Sequence, residues 1–318
     1  MSKLKQRLKV LTTINTLALG SMYMINQAIS SSALIKNILN PDKGDYYHWK
    51  FGDIFYKKAG TGSPVLLIHD LNSFSSGYEW SQLEEKLKKD YTVYTIDLLG
   101  CGRSSKPALK YTNYLYVQLL TDFINEVIKE KTSVICTGLS SSFVIMTTYS
   151  NSKLIDRIIM INPASLKTLN KKPDQKSRVV YGIMSIPIVG TSLFHMKSCR
   201  QNIKAEMEDI YFYRTSNIKE KYINAYYESA HYGYGKGKYL MSSLDGNYLN
   251  IPVEKALSNI ENNITILYGD KTDNGKAISR SYRKINKNIS THAVANTKHL
   301  PQLESVQQTY TQIKEYLL

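Results

Sequence analysis

Cysteine is scarce in this sequence: Cys101, Cys136 and Cys199 are odd in number and far apart, so the 318 residues hold no disulfide framework. Proline and glycine, at 8 and 17, are too few for a collagen-like or low-complexity chain, and a 42% hydrophobic share is that of a folded body. Acidic residues are outnumbered, 26 against 41 Lys and Arg, which leaves a net charge of +15. Such a balance suits an anionic membrane surface or a nucleic acid. The lysines, however, recur singly along the whole chain, with no zinc-ligand spacing, no RNA-recognition aromatic signature and no arginine-rich arm, so no nucleic-acid partner is expected. Long uninterrupted apolar runs are missing too. The nearest approach, "LTTINTLALGSMYMINQAI", follows Lys3, Lys5, Arg7 and Lys9 and is broken by Thr12, Thr13, Asn15, Asn26 and Gln27. It carries no charge and has about the length of a membrane span, so an uncleaved anchor is the preferred reading. A secretory signal, with the small-x-small pattern of Ala28-Ile29-Ser30, and a surface-lying helix stay open. As an anchor, its denser basic flank on the N-terminal side would keep that end cytoplasmic and the remainder outside.

From Tyr46 onward a different pattern is present. "HWKFGDIFYKKAG" reads as an edge hairpin, and after Gly62 and Pro64 comes the continuous apolar run Val65 to Ile68. Runs of this kind, bounded by turn residues, belong to strands buried on both faces. They recur in "YTVYTID", "SVICTG", "RIIMIN" and "NITILYG", with helical patterns such as "WSQLEEKLKKD" and "VQLLTDFINEVIKE" between them. Strands alternating with helices give an α/β protein: a mostly parallel central sheet flanked by helices. Between "RIIMINPAS" and "NITILYG" roughly ninety residues lack a strong strand pattern and read as helices, among them "RQNIKAEMEDIYFY" and "KEKYINAYYESAHYG".

In such sheets a ligand sits outside the carboxyl ends of the strands, so the residues directly after each run carry the chemistry. Those residues are "HDLN", "LLGCGRSS", "LSSSF" and "DKTDNG", and "VANTKHLPQLE" places His299 before a proline and a helix. Ser, Asp and His thus follow one another at strand ends, the order of a nucleophile, an acid and a base on one sheet.

Through "IHDLN", "DLLGCGRSS", "GLSSS" and "KHLPQLE" the chain resembles an α/β-hydrolase from Tyr46 to its end. Composition sets apart a basic and hydrophobic N-terminal segment at 1–40, and the resemblance implies a first core part at 46–165, a helical cap at 166–258 and a second core part at 259–318. The family's turn G-x-S-x-G is written Gly138-Leu139-Ser140-Ser141-Ser142 here, which points to Ser140 as nucleophile, since Gly138 and Ser142 supply small residues where backbone crosses backbone. A helix cap is the plainer reading of the same serines. His299 is the expected base. The oxyanion donors implied are the backbone N–H groups of Ser141 and Leu71, although Asp70 stands where the family usually has glycine. Counting three residues beyond Gly269 reaches Thr272; Asp273 is the preferred acid, with Asp270 as the alternative. His69 is expected to shape its loop, and Asn162 sits where some relatives keep another acid. No cofactor or metal is implied. These expectations amount to a serine hydrolase cleaving a carboxylic ester or related small acyl compound through an acyl-enzyme. An acyltransferase on the same scaffold, or a catalytically silent binding protein, is the alternative.

Overall fold

The computed structural model describes residues 3–40 and 43–317; Met1, Ser2, Pro41, Asp42 and Leu318, which the expected segments include, lie outside them. An N-terminal helix α1 (Lys3–Ala33) precedes an eight-stranded sheet made of β1 (Asp45–Trp49), β2 (Gly52–Ala59), β3 (Pro64–Ile68), β4 (Thr92–Ile96), β5 (Thr132–Thr137), β6 (Ile155–Ile161), β7 (Asn263–Gly269) and β8 (Ser290–Val294). The spatial order is β1-β2-β4-β3-β5-β6-β7-β8. The first hairpin and its junction with β4 are antiparallel, and every later pair is parallel.

Two-sided burial explains why the strands read as continuous apolar runs. In β3, Leu66 and Ile68 point into one core layer and Val65 and Leu67 into the other. β6 divides Ile158 and Met160 from Ile159 and Ile161 in the same way. Both layers are roofed by helices: α2 (Ser81–Leu87) and α14 (Val306–Leu317) on one face, α3 (Asn113–Phe123), α4 (Ser140–Ser150) and α12 (Gly275–Ile285) on the other. Leu67 is fully buried, so truncation to alanine there would cost about 2–5 kcal/mol.

Two features position the site. Strand order reverses at β3, which lies between β4 and β5, so the loops leaving β3 and β5 part and open a crevice. Over that crevice lies a helical insertion between β6 and β7. It contains α5 (Leu166–Leu169), α6 (Gln175–Ser185), α7 (Val189–Lys197), α8 (Arg200–Glu206), α9 (Glu220–His231), α10 (Lys238–Asp245) and α11 (Glu254–Ser258). Its own core packs Met207, Tyr211, Phe212 and Tyr226 against Phe74, from the loop after β3, and against Leu300 and Leu303. The last of these belongs to the short α13 (Pro301–Glu304).

The "DLLGCGRSS" stretch is a brace. Arg103 grips Asp97 with two hydrogen bonds, Nε to Oδ2 at 2.7 Å and Nη2 to Oδ1 at 2.9 Å, and its Nη1 donates to the Leu39 carbonyl at 2.8 Å. Burial alone would raise the Asp97 carboxyl, but Arg103 pulls it down to about 2.

Candidate active site

The turn after β5 departs from the register expected of it. β5 pairs with β3 as far as Cys136 and with β6 as far as Thr137, and the next residue, Gly138, takes the left-handed backbone conformation at φ +57°. The strained corner of the strand-to-helix turn is therefore Gly138, with Cys136 and Ser140 as the small residues two positions to either side. Ser140 begins α4 and is fully buried. Its hydroxyl donates to the His69 carbonyl at 2.6 Å, not to His299. Ser141 spends its N–H on the Gly138 carbonyl at 3.3 Å, as any residue in a first helical turn would. Ser142 accepts from Asn113 Nδ2 at 2.7 Å. In this geometry the polar groups of the three serines are engaged locally, and the hydroxyl of Ser140, the expected nucleophile, is not bonded to His299.

The space of a corner side chain is filled from the neighbouring loop. A Cβ built on Gly138 would overlap Cγ, Oδ1 and Oδ2 of Asp70. That carboxylate accepts the Leu139 N–H through Oδ1 at 2.9 Å and meets His299 Nε2 through Oδ2 at 2.8 Å. The Leu139 N–H is the donor that follows the turn corner, the place of an oxyanion donor. Leu71, expected as the second donor, lines the same cavity, about 390 Å³ in volume, together with Asp70, Gly138, Leu139 and His299.

The expected acids do not reach the histidine. Asp273 is exposed on the turn before α12. Asp270, also exposed, receives the Thr297 N–H at 3.3 Å. Thr272 occupies the inward position between them, with a buried, unpartnered hydroxyl at the cavity wall. Asn162 fixes the histidine loop from below, its Nδ2 donating to the carbonyls of Lys298 at 3.1 Å and His299 at 2.9 Å while Oδ1 accepts the Gly269 N–H at 3.2 Å.

Two further carboxyl groups surround the Asp70–His299 pair, and no local sequence signal marks either. Glu79 is fully buried; its Oε2 accepts the Asp70 N–H at 3.2 Å and its Oε1 accepts from Gln302 Nε2 at 2.7 Å. Burial first, then the charge of Asp70, raises its pKa to about 7. Glu206, at the end of α8, accepts from the Tyr211 hydroxyl at 2.8 Å, and burial raises its pKa as well. Tyr211 stacks on the His299 ring at 5.6 Å, placed there by a π-helical turn, Met207–Tyr211. Burial works to lower the His299 pKa, but the hydrogen bond and charge of Asp70, with Glu79 and Glu206 behind them, outweigh it and raise it. His69 braces the loop instead. Its Nδ1 meets the Asp70 carbonyl at 2.7 Å, Nε2 accepts the Leu98 N–H at 3.0 Å, and burial lowers its pKa.

A sheet with this switch point, a strand-to-helix corner after β5 and a histidine before the last helices define the class. The alpha/beta hydrolase family model matches residues 65–310, and the chain belongs to that family. Among curated relatives, an uncharacterised protein of Mycobacterium tuberculosis is 27% identical over 134 residues, 42% of this chain and 36% of its own length. The 2-hydroxy-6-oxo-6-(2'-aminophenyl)hexa-2,4-dienoic acid hydrolase of Metapseudomonas resinovorans is 29% identical over 35% of this chain and 39% of its own, and the soluble epoxide hydrolase of Corynebacterium sp. strain C12 is 27% identical over 34% and 37%. The matches thus span less than two-fifths of these relatives' lengths. Among solved structures, the meta-cleavage product hydrolase of Pseudomonas fluorescens IP01 superposes with a TM-score of 0.70 at 18% identity, covering 87% of this chain and 98% of that one. A membrane phospholipase A superposes at 0.67 and 18% identity over 98% of both chains. At such identities the likeness is one of fold.

Proposed function

We propose that this chain is a hydrolase of small molecules bearing an electrophilic carbon, of the epoxide type, with Asp70 as nucleophile and His299 as its acid and base. One observation carries the reading: the Asp70 carboxylate fills the space at the Gly138 corner while bonded to both His299 Nε2 and the Leu139 N–H. A carboxylate is a competent nucleophile toward carbon and leaves an ester that water can cleave. Asp70 Oδ2 attacks the ring carbon, the carbon–oxygen bond breaks, and imidazolium His299 gives its proton to the alkoxide. Neutral His299 then takes a proton from water as the hydroxide adds to Asp70 Cγ, and the oxyanion on Oδ1 faces the Leu139 N–H. Collapse expels the second alkoxide, which takes the proton of the new carboxyl group. Asp70 returns as carboxylate and His299 as imidazolium. The raised His299 pKa suits the first step, in which it acts as acid. The curated relative named as an epoxide hydrolase lends the substrate class further support.

The helical insertion serves as a cap over this cavity in the same reading, with Tyr211 and Glu206 on its inner side. Helix α1 is apolar enough from Lys5 to Ala33 to cross a membrane, with a mean hydropathy of 1.2 and its apolar window wholly exposed. We assign it as an anchor that leaves the hydrolase at the membrane surface.

A trapping experiment tests the chemistry. His299→Gln keeps the nucleophile but lacks the base for the second step, so a benzylic halide, whose leaving group needs no proton from His299, should leave a covalent adduct on the Asp70 peptide, seen by mass spectrometry, while wild type turns the probe over and Asp70→Ala does neither. Turnover in wild type with no adduct in His299→Gln would refute the nucleophile. Fluorophosphonate labelling of Ser140, lost in Ser140→Ala, would return the role to serine and the substrate to a carboxylic ester. Inertness toward epoxides, halides and chromogenic esters alike would favour a binding protein.

A further inference from the structure

A second cavity, about 340 Å³, lies where α1 meets the helical insertion, away from Asp70 and His299. Tyr23 and Asn26 of α1, Lys106 from the loop after β4, and Lys236, Lys238 and Tyr239 at the start of α10 contribute to its lining. Lys106 and Lys238 are 5% and 4% exposed, an unusual degree of burial for lysine. Among the described residues their ammonium groups meet neutral acceptors: Lys106 Nζ the Gly102 carbonyl at 2.8 Å, and Lys238 Nζ the Ile186 carbonyl at 3.0 Å and the Thr191 hydroxyl at 3.2 Å. The nearby charge of Asp97 is already held by Arg103. Among the described residues no carboxylate lines the cavity.

Buried ammonium groups without a counter-ion cost several kcal/mol each. Burial lowers the Lys106 pKa to about 8 and moves that of Lys238 in the same direction. An anion in the cavity would supply the missing charge, and the exposed Lys236 stands at the mouth to draw it in. Asn26 is not available for it, because its amide bridges the Ile188 carbonyl and the Ser192 hydroxyl and so clamps α1 onto the α6–α7 corner. Upstream on α1, Leu11, Ile14 and Leu17 are 61%, 59% and 66% exposed, and next to the clamp α6 presents Val179 and Ile183. With the exposed part of α1 in a bilayer, the cavity opens at the level of the phospholipid headgroups.

We propose that this cavity binds a phosphate group between Lys106, Lys236 and Lys238, as the headgroup of an acidic phospholipid or as the free ion. The site is independent of the hydrolytic chemistry; only its lipid source rests on α1 as an anchor.

The full chain in an uncharged detergent is titrated with dihexanoylphosphatidylglycerol, with the matching phosphatidylcholine and with sodium phosphate, and the shift in Tm is followed to saturation. Phosphatidylglycerol should give a saturable rise, its midpoint weakened by about tenfold or more in Lys236→Glu, an exposed change, and in Lys238→Gln. Saturation by phosphatidylglycerol without saturation by phosphate identifies the lipid; saturation by phosphate identifies the free ion, and both support the site. No saturable shift with either, or midpoints unchanged in both variants, overturns it. Turnover of an epoxide probe should be unaltered in Lys236→Glu, so a failure here is distinguishable from a failure of the Asp70 mechanism.

Discussion

If Asp70 fills the place of a side chain missing from Gly138, the two positions must be coupled, and exchanging them should change the chemistry. Gly138→Ser alone places a Cβ on the Asp70 carboxylate and demands a left-handed conformation of a non-glycine residue. The backbone term is about 1–2 kcal/mol. Expelling Asp70 gives up its hydrogen bonds to the Leu139 N–H and His299, about 1.5–3 kcal/mol each because the acceptor is charged. The single variant should therefore lose roughly 4–8 kcal/mol, close to the whole stability of an ordinary domain. Asp70→Gly removes the obstacle beforehand, so on that background Gly138→Ser should cost only the backbone term of about 1–2 kcal/mol. The double variant has a hydroxyl at the corner, a free Leu139 N–H, and a His299 Nε2 no longer engaged by Asp70. It should gain hydrolysis of p-nitrophenyl acetate and label with fluorophosphonate at position 138, whereas wild type and Asp70→Gly should do neither. Urea unfolding of the four proteins and ester turnover are the assays. A Gly138→Ser protein as stable as wild type, or a double variant no more active than Asp70→Gly, would refute the reasoning.

Ser140→Ala should lose one buried hydrogen bond, about 1–3 kcal/mol of stability, and leave epoxide turnover within about threefold. Asp273→Asn should alter neither, and a fall in turnover of about 10⁴ in either variant would reinstate a serine triad. Glu79 has its pKa raised from 4.5 to about 7 by burial and by Asp70, so between those values the folded chain keeps a proton that the unfolded chain has released. Its stabilising contribution, about 3 kcal/mol, is complete below 4.5 and lost as pH climbs through about 7; Glu79→Gln should flatten that decline in urea unfolding, and an equally steep slope in the variant would exclude Glu79 as its source.

The architecture was legible because burial on both faces leaves a mark that one strand carries alone: Val65–Ile68 and Ile158–Ile161 need no partner to be recognised. The position of His299 before a proline and the last helices was equally local. The nucleophile was not, because "CTGLSSS" satisfies two registers. Gly138 and Ser142 flank Ser140 with small residues, and Cys136 and Ser140 flank Gly138 equally well. The choice is made by where β5 stops pairing, Cys136 with Ile68 and Thr137 with Ile161, and that is a property of three strands together. Asp70 was visible as a departure from glycine, yet its meaning required Gly138 to be recognised as the corner. Glu79 and Glu206 come from a helical turn and from the insertion, with no spacing that joins them to His299. In the loop after Gly269 the Thr272 hydroxyl is buried and Asp273, one residue on, is exposed, a difference that spacing alone does not reveal.

The two departures at Asp70 and Gly138 make sense only as a reciprocal pair. A glycine at the corner without Asp70 would leave an apolar gap beside a histidine that has no acid partner from the β7 loop, and the imidazole would titrate as an ordinary buried group, pushed toward neutrality. Asp70 beside a corner that kept its side chain could not enter the space at all. Under the proposed mechanism the carboxylate bonded to the histidine is one that meets the substrate rather than one that only orients the base. The remaining acids then act through charge. Asp70 first, with Glu79 and Glu206 behind it, raises the imidazole pKa, and in the proposed mechanism esterification of Asp70, which removes its charge, weakens that shift. In the proposed mechanism the first chemical step thus prepares the histidine for the second, since the base becomes more available once the carboxylate that raises its pKa has been consumed.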